Sequence, residues 1–162
     1  MPGSGKSLVG GKLADKLGYK LLELDKILEQ EYRLSLQQIV EMLGAETFLD
    51  KEAEVAISQT TDRDGLVVSP GGSVVYRTHA MEYLKRISTL VYLEVPVEVI
   101  RERIGDTLRG IVNIENKTLV QLQAERTPLY KKWADHIING SRDPDIVVVD
   151  ILKATGSFAS RR

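Results

Sequence analysis

The order of apolar and polar positions divides the chain into helical stretches that alternate with short apolar runs of strand type. Residues 7–17 (SLVGGKLADKL) predict a helix, and Gly18 is placed to end it. Residues 20–24 (KLLEL) predict a strand, followed by helices near 25–32, 35–43 and 46–58, with Ser35 and Gly44 as start and stop signals for the middle one. Residues 66–69 (LVVS) form an apolar run broken by Pro70-Gly71-Gly72, the pattern of a buried strand running into a loop. A helix near 78–86 leads to a strand at 90–95, and Pro96 opens a helix over 97–104. Residues 105–117 sustain no period and hold two glycines, so they predict a mobile loop. A helix near 118–134 follows, which Pro128 should bend or interrupt. Residues 136–139 (HIIN) are strand-like. Asp143-Pro144 is suited to start a last helix, although the β-branched run IVVVDIL reads equally as a strand. Strands alternating with helices predict a mostly parallel sheet covered on both faces, an α/β fold.

Composition narrows the class. The 162 residues suffice for one domain, taken as 1–162, and the 43% hydrophobic fraction is that of a globular protein. No apolar run approaches the roughly 20 residues that span a bilayer, and no secretory leader is visible, so a soluble, cytoplasmic protein is expected. The absence of cysteine excludes disulfides and thiol chemistry, and two histidines, His79 and His136, are too few for a histidine-rich metal site. A net charge of −1 predicts no general attraction to nucleic acid or membrane. A monomer is expected.

The chemistry begins at Met1-Pro2-Gly3-Ser4-Gly5-Lys6-Ser7. Gly5-Lys6-Ser7 is the Gly-Lys-Ser end of a Walker A phosphate loop. Glycines let backbone N–H groups turn in on a phosphate, and the helix that begins here adds free donors and a partial positive charge. Lys6 suits the β- and γ-phosphates of ATP, and the Ser7 hydroxyl suits Mg²⁺. The first glycine of the motif, and the strand that should precede it, fall before Met1. A Gly-Ser-Gly leader is the bland reading of the same residues, but Lys-Ser at the right offset before a helix favours the phosphate loop.

Further segments, in order and at matching spacing, make the chain resemble the shikimate kinase family from Met1 to about Thr155. They are Leu22-Glu23-Leu24-Asp25, Pro70-Gly71-Gly72-Ser73, Arg109-Gly110-Ile111-Val112 and Glu125-Arg126-Thr127-Pro128-Leu129-Tyr130. The resemblance implies a three-layer α/β/α P-loop kinase fold whose first, central strand is absent from this chain. It implies an enzyme that phosphorylates the 3-hydroxyl of shikimate with MgATP. Lys6, Asp25 and Arg109 would be catalytic, Asp25 by orienting or deprotonating the attacking hydroxyl and Arg109 from a lid at about 105–117. ATP would lie against Gly3, Ser4, Gly5, Lys6, Ser7 and Leu8, with Arg103 and Arg142 at the adenine. Mg²⁺ would be held by Ser7 and, through water, Glu23. The acceptor, a small hydroxylated carboxylic acid, would meet Asp25, Gly71, Gly72 and Arg126.

Two positions depart from the family pattern. Pro70 replaces the first glycine of the substrate loop. Leu49 stands where a second carboxylate-binding arginine is expected, a loss of roughly 1.5–3 kcal/mol, or about 10- to 150-fold in binding. Arg77 is a candidate to replace that charge. A kinase for another small polyol or hydroxy acid, and a non-catalytic nucleotide-binding relative, are the alternatives. Lys6, Ser7, Asp25, Arg109 and Arg126 together argue against the second, because a binding module needs no aligned acceptor site.

Overall fold

The structure, a computed structural model, describes residues 1–105 and 117–157. Arg109 and nearly all of the expected lid therefore lie outside the described residues. In chain order the elements are α1 (Lys6–Leu17), β1 (Lys20–Glu23), α2 (Leu24–Tyr32), α3 (Leu36–Leu43), α4 (Ala45–Ser58), β2 (Leu66–Ser69), a 3₁₀ turn (Val74–Tyr76), α5 (Thr78–Ile87), β3 (Val91–Glu94), α6 (Val97–Ile104), α7 (Leu119–Trp133), β4 (His136–Asn139) and α8 (Pro144–Ala154).

The strands form two parallel pairs. β1 lies beside β2 with Lys20 opposite Leu66, and β3 lies beside β4 with Val91 opposite His136. No ladder joins β2 to β3 among the described residues, so the sheet is divided where a central strand was expected to be absent. Side chains alternate across both halves, as the pleat requires. Leu21 and Val67 face α1, while Val91, Leu93 and Ile138 pack with Val9, Val147, Val148, Ile151 and Leu152 of α1 and α8. Leu22 and Val68 face the opposite way, into a larger core built by α2, α3, α4 and α5 around Leu24, Leu28, Ile39, Phe48 and Ala53. Tyr92 of β3 also points to that side and stacks on Tyr130 of α7 at 5.1 Å between ring centroids. The result is three layers, with α1 and α8 covering one face of both strand pairs.

Local chemistry accounts for the element ends. Gly18 adopts φ +70° and closes α1 by donating its N–H to the Ala14 and Asp15 carbonyls. Ser35 and Gln38 form a reciprocal capping box on α3, and Thr118 and Gln121 do the same for α7. The open choice at the C-terminal end resolves as helix. Asp143 caps α8 through the Asp145 N–H, Pro144 occupies the first turn, and Val147, Val148, Ile151 and Leu152 fall on one buried face. α7 is not interrupted at Pro128. The proline removes one N–H, but the capped start and the packing of Leu122, Leu129 and Tyr130 on either side hold the helix together. Trp133 ends α7 against the larger core, with the Lys132 ammonium 4.9 Å from its ring centroid and its carbonyl accepting from Lys85 at 3.0 Å.

Candidate active site

The loops that carry the candidate residues leave the carboxyl ends of β1 and β2 and meet the start of α1, the place where open parallel sheets bind ligands. Gly3 (φ +68°) and Gly5 (φ +88°) take the left-handed conformation that turns successive N–H groups to one side. α1 has no side-chain cap and no acid in its first turn, so its N-terminal donors and partial positive charge are left for a ligand. Position 3 is doubly restricted, since a Cβ there would lie 2.7 Å from Ile104. The loop is braced from within: the buried Ser4 hydroxyl and the Lys6 ammonium both donate to the Met1 carbonyl, at 2.8 and 3.2 Å. Arg103 braces it from outside, donating to the Ser4 carbonyl at 3.3 Å and the Gly140 carbonyl at 3.0 Å. Burial holds the Lys6 pKa below its ordinary value, and the nearby charges of Asp25 and Glu52 partly offset this.

β1 ends at Glu23, one residue earlier than expected, so Asp25 sits in the first turn of α2 rather than at a strand end. There the helix N-terminus favours its negative charge. Burial nevertheless raises its pKa, against the pull of Lys6. Glu23 is shallower. It bonds Lys26, and that contact, with the Ser7 hydroxyl nearby, lowers its pKa. Ser7 and Glu23 thus present two hard oxygen donors side by side at the mouth of the phosphate loop, a set that fits Mg²⁺.

Behind Asp25 the Pro70–Ser73 loop is pressed against side chains. A Cβ on Gly71 would lie 1.8 Å from Glu52 Oε1 and 2.7 Å from Asp25 Oδ1, and one on Gly72 would lie 3.1 Å from Arg126 Nη1. Glycine is needed here for space rather than for backbone conformation. The Tyr130 hydroxyl donates to the Gly72 carbonyl at 2.7 Å and pins the loop to α7. Lys6, Asp25, Gly71, Gly72 and Arg126 together line one cavity of about 50 Å³, with Glu52 and Ser73 among its other walls. Arg126, 3% exposed, also lines a neighbouring cavity of about 280 Å³ with Leu49, Tyr76 and Arg77. Among the described residues two buried side-chain atoms, Glu52 Oε2 and Arg126 Nη2, lack a hydrogen-bond partner. Both residues line the smaller cavity, so a ligand there has an acceptor and a donor waiting for it.

Of the other expected residues, Leu8 is exposed beside the phosphate loop. Arg142 is paired with Asp150 of α8 at 2.7 Å, in the same β4–α8 loop that Arg103 reaches through Gly140. Arg77 is committed to Glu46 and Asp50 at 2.8 and 2.7 Å, and Leu49 is 5% exposed. Glu52 and Tyr76 are lining residues that the sequence did not single out. For Glu52 a signal existed, because it shares a helix stripe with Phe48, Val55 and Ala56, where an acid is out of place.

A phosphate-cradling helix N-terminus with its lysine, a buried carboxylate facing it and a buried arginine beyond define the site of a phosphoryl-transfer enzyme for a small anionic acceptor. Comparison with known proteins identifies the family. The shikimate kinase family matches over residues 2–155, and the chain belongs to it. It is 31% identical over 150 residues to the shikimate kinase of Francisella tularensis subsp. novicida (strain U112), covering 90% of this chain and 85% of that one. It is 32% identical over 156 residues to the shikimate kinase of Corynebacterium jeikeium (strain K411), covering 94% and 83%. Among solved structures, the shikimate kinase from Acinetobacter baumannii in complex with shikimate superposes with a TM-score of 0.86 at 30% identity, over 99% of this chain and 91% of that one. The fold is therefore the P-loop kinase fold. Among the described residues no helix is long and apolar enough to cross a membrane.

Proposed function

We propose that this protein transfers the γ-phosphoryl group of ATP to the 3-hydroxyl of shikimate. The observation that carries the reading is the single cavity lined by Lys6, Asp25, Gly71, Gly72 and Arg126. Lys6 and the donors of the phosphate loop take the β- and γ-phosphates and gather their charge. Asp25 orients the acceptor hydroxyl and accepts its proton as the new bond forms between the hydroxyl oxygen and the γ-phosphorus. The bond from that phosphorus to the β–γ bridging oxygen breaks, and ADP leaves with the electron pair. Arg126 pairs with the acceptor carboxylate through its free Nη2, and the backbone of Gly71 and Gly72 lies along the ligand.

Ser7 and Glu23 are the residues that would hold Mg²⁺, which when bound neutralises charge on the β- and γ-phosphates. Arg103, which bridges the phosphate loop and the loop ahead of α8, and Arg142 in that second loop are assigned to the adenine. Arg109, by its family resemblance, is assigned to the transferring phosphate. Arg77 is neutralised by two carboxylates, so carboxylate recognition is assigned to Arg126. A single-domain monomer is taken as the working unit, and ATP as donor supports a cytoplasmic setting.

The test is coupled ADP release with MgATP and shikimate against a panel of small polyols and hydroxy acids. Shikimate-dependent turnover is expected, and Lys6→Ala should abolish it while shikimate still raises the melting temperature of the variant. Turnover restricted to another acceptor, or unchanged in Lys6→Ala, overturns the reading.

A further inference from the structure

Arg126 is the one cation assigned to the acceptor carboxylate, so its orientation decides how that group is received. A guanidinium on a flexible stem does not orient itself. Here the Nε–H donates to the Tyr76 hydroxyl oxygen at 3.1 Å, and the guanidinium carbon sits 5.2 Å from the centroid of the Tyr76 ring. The Tyr76 hydroxyl has one hydrogen, and Glu125 Oε1 receives it at 2.5 Å. Glu125 is in turn bonded through Oε2 to Lys117 at 2.6 Å. Because the phenol hydrogen is committed to Glu125, its lone pairs are left facing Arg126. The direction of every bond in the chain from Glu125 to Tyr76 to Arg126 is therefore set by the chemistry of the groups. Burial and the Glu125 bond raise the Tyr76 pKa, which keeps it a neutral phenol.

The arrangement leaves Nη1 against Gly72 and Nη2 without a protein partner. Tyr76 belongs to the 3₁₀ turn that directly follows the glycine loop, so the segment that shapes the cavity floor also holds the arginine. On the facing wall Leu49 is apolar, and the cations there are engaged by acids, Arg77 by Glu46 and Asp50 and Lys117 by Glu125. We propose that Tyr76 is a positioning residue for the acceptor: its hydroxyl, oriented by Glu125, fixes the Arg126 guanidinium so that the Nη2 edge meets the acceptor carboxylate. This rests on the reading of Arg126 as the carboxylate-binding residue.

The experiment compares shikimate with its methyl ester, which lacks the anionic carboxylate, in Tyr76→Phe, Arg126→Ala, Arg126→Lys and the Tyr76→Phe/Arg126→Lys pair. Tyr76→Phe deletes one oxygen and keeps the ring under the guanidinium. It should raise the shikimate KM about tenfold while leaving kcat, the ATP KM and the ester kinetics within about twofold. Lysine has no guanidinium Nε–H, so in the Arg126→Lys background Tyr76→Phe should add less than about twofold. A structural role alone predicts equal effects on the two acceptors and additive effects in the pair, and either result overturns the proposal. So does an unchanged shikimate KM in Tyr76→Phe when Arg126→Ala raises it. If Arg126→Ala treats acid and ester alike, the assignment of Arg126 itself falls, and the proposal with it. Should Tyr76→Phe fold poorly, Glu125→Ala removes the acceptor of the phenol hydrogen and should raise the shikimate KM selectively; no selectivity there refutes the clamp.

Discussion

Glu52 is 1% exposed, faces Asp25 across Gly71, and has one carboxyl oxygen without a partner. Burial pushes its pKa up to about 7; Asp25 adds to the rise, while Ser73, Arg126 and Lys6 oppose it. The unfolded chain releases this proton near pH 4.5, and the folded chain holds it until about 7. The stability that Glu52 contributes is therefore complete below about pH 4.5 and lost as pH rises through about 7. Glu52→Gln cannot ionise, so it should gain on the parent by up to about 3 kcal/mol between pH 4.5 and 8. Urea titrations of both proteins at the two pH values check this, and a pH-independent difference would refute it. The candidate residues that the structure brings into one cavity were legible because glycine spacing, Lys6-Ser7 and the Glu125–Tyr130 segment stand out by their order. Glu52 was only half legible: its stripe with Phe48, Val55 and Ala56 turns it inward, while Lys51 and Glu54 beside it suggest a charged surface helix. Packing under the glycine loop shows what position 52 faces.

At the scale of elements, α7 shows how a site residue depends on its helix. Arg126 stands eight residues after the Thr118 cap, more than two turns in, and is also held from a different element through Tyr76. Thr118→Ala should therefore destabilise the protein by about 1 kcal/mol while changing the shikimate KM by less than about twofold. Denaturant unfolding and steady-state kinetics on the same preparation test both halves of the statement. Strands at 66–69 and 136–139 and the helix at 97–104 fall where the hydrophobic pattern puts them, since turn residues bound each one. What the pattern could not settle was the state of IVVVDIL, where β-branched propensity opposed the Asp143-Pro144 start. The cap and one buried face decided for helix. Pro128 likewise shows tertiary packing overriding a local breaker. The position of Asp25 turned on a single residue, because Leu24 satisfies a strand and a helix equally well.

Across the whole molecule, the two strand pairs share no ladder among the described residues, and packing on α1 and α8 joins them. α1 lies on β1 and β2 through Gly10, whose Cβ would sit 3.1 Å from Leu21, and on α8 through Val9. α8 in turn covers β3 and β4. Ile151, 4% exposed in that seam, is the position where a void should do most harm. Ile151→Ala should cost about 2–5 kcal/mol, read from the midpoint of urea unfolding; a loss below about 1 kcal/mol would place the joint elsewhere. The single tryptophan of the chain ends the helix that carries Arg126. Light absorbed selectively by Trp133 is thus emitted from α7 alone, with Lys132 over the ring to tune its colour. The protein carries its own lamp on the helix that holds Arg126, and a change in its intensity on adding a ligand would report occupancy without any attached dye.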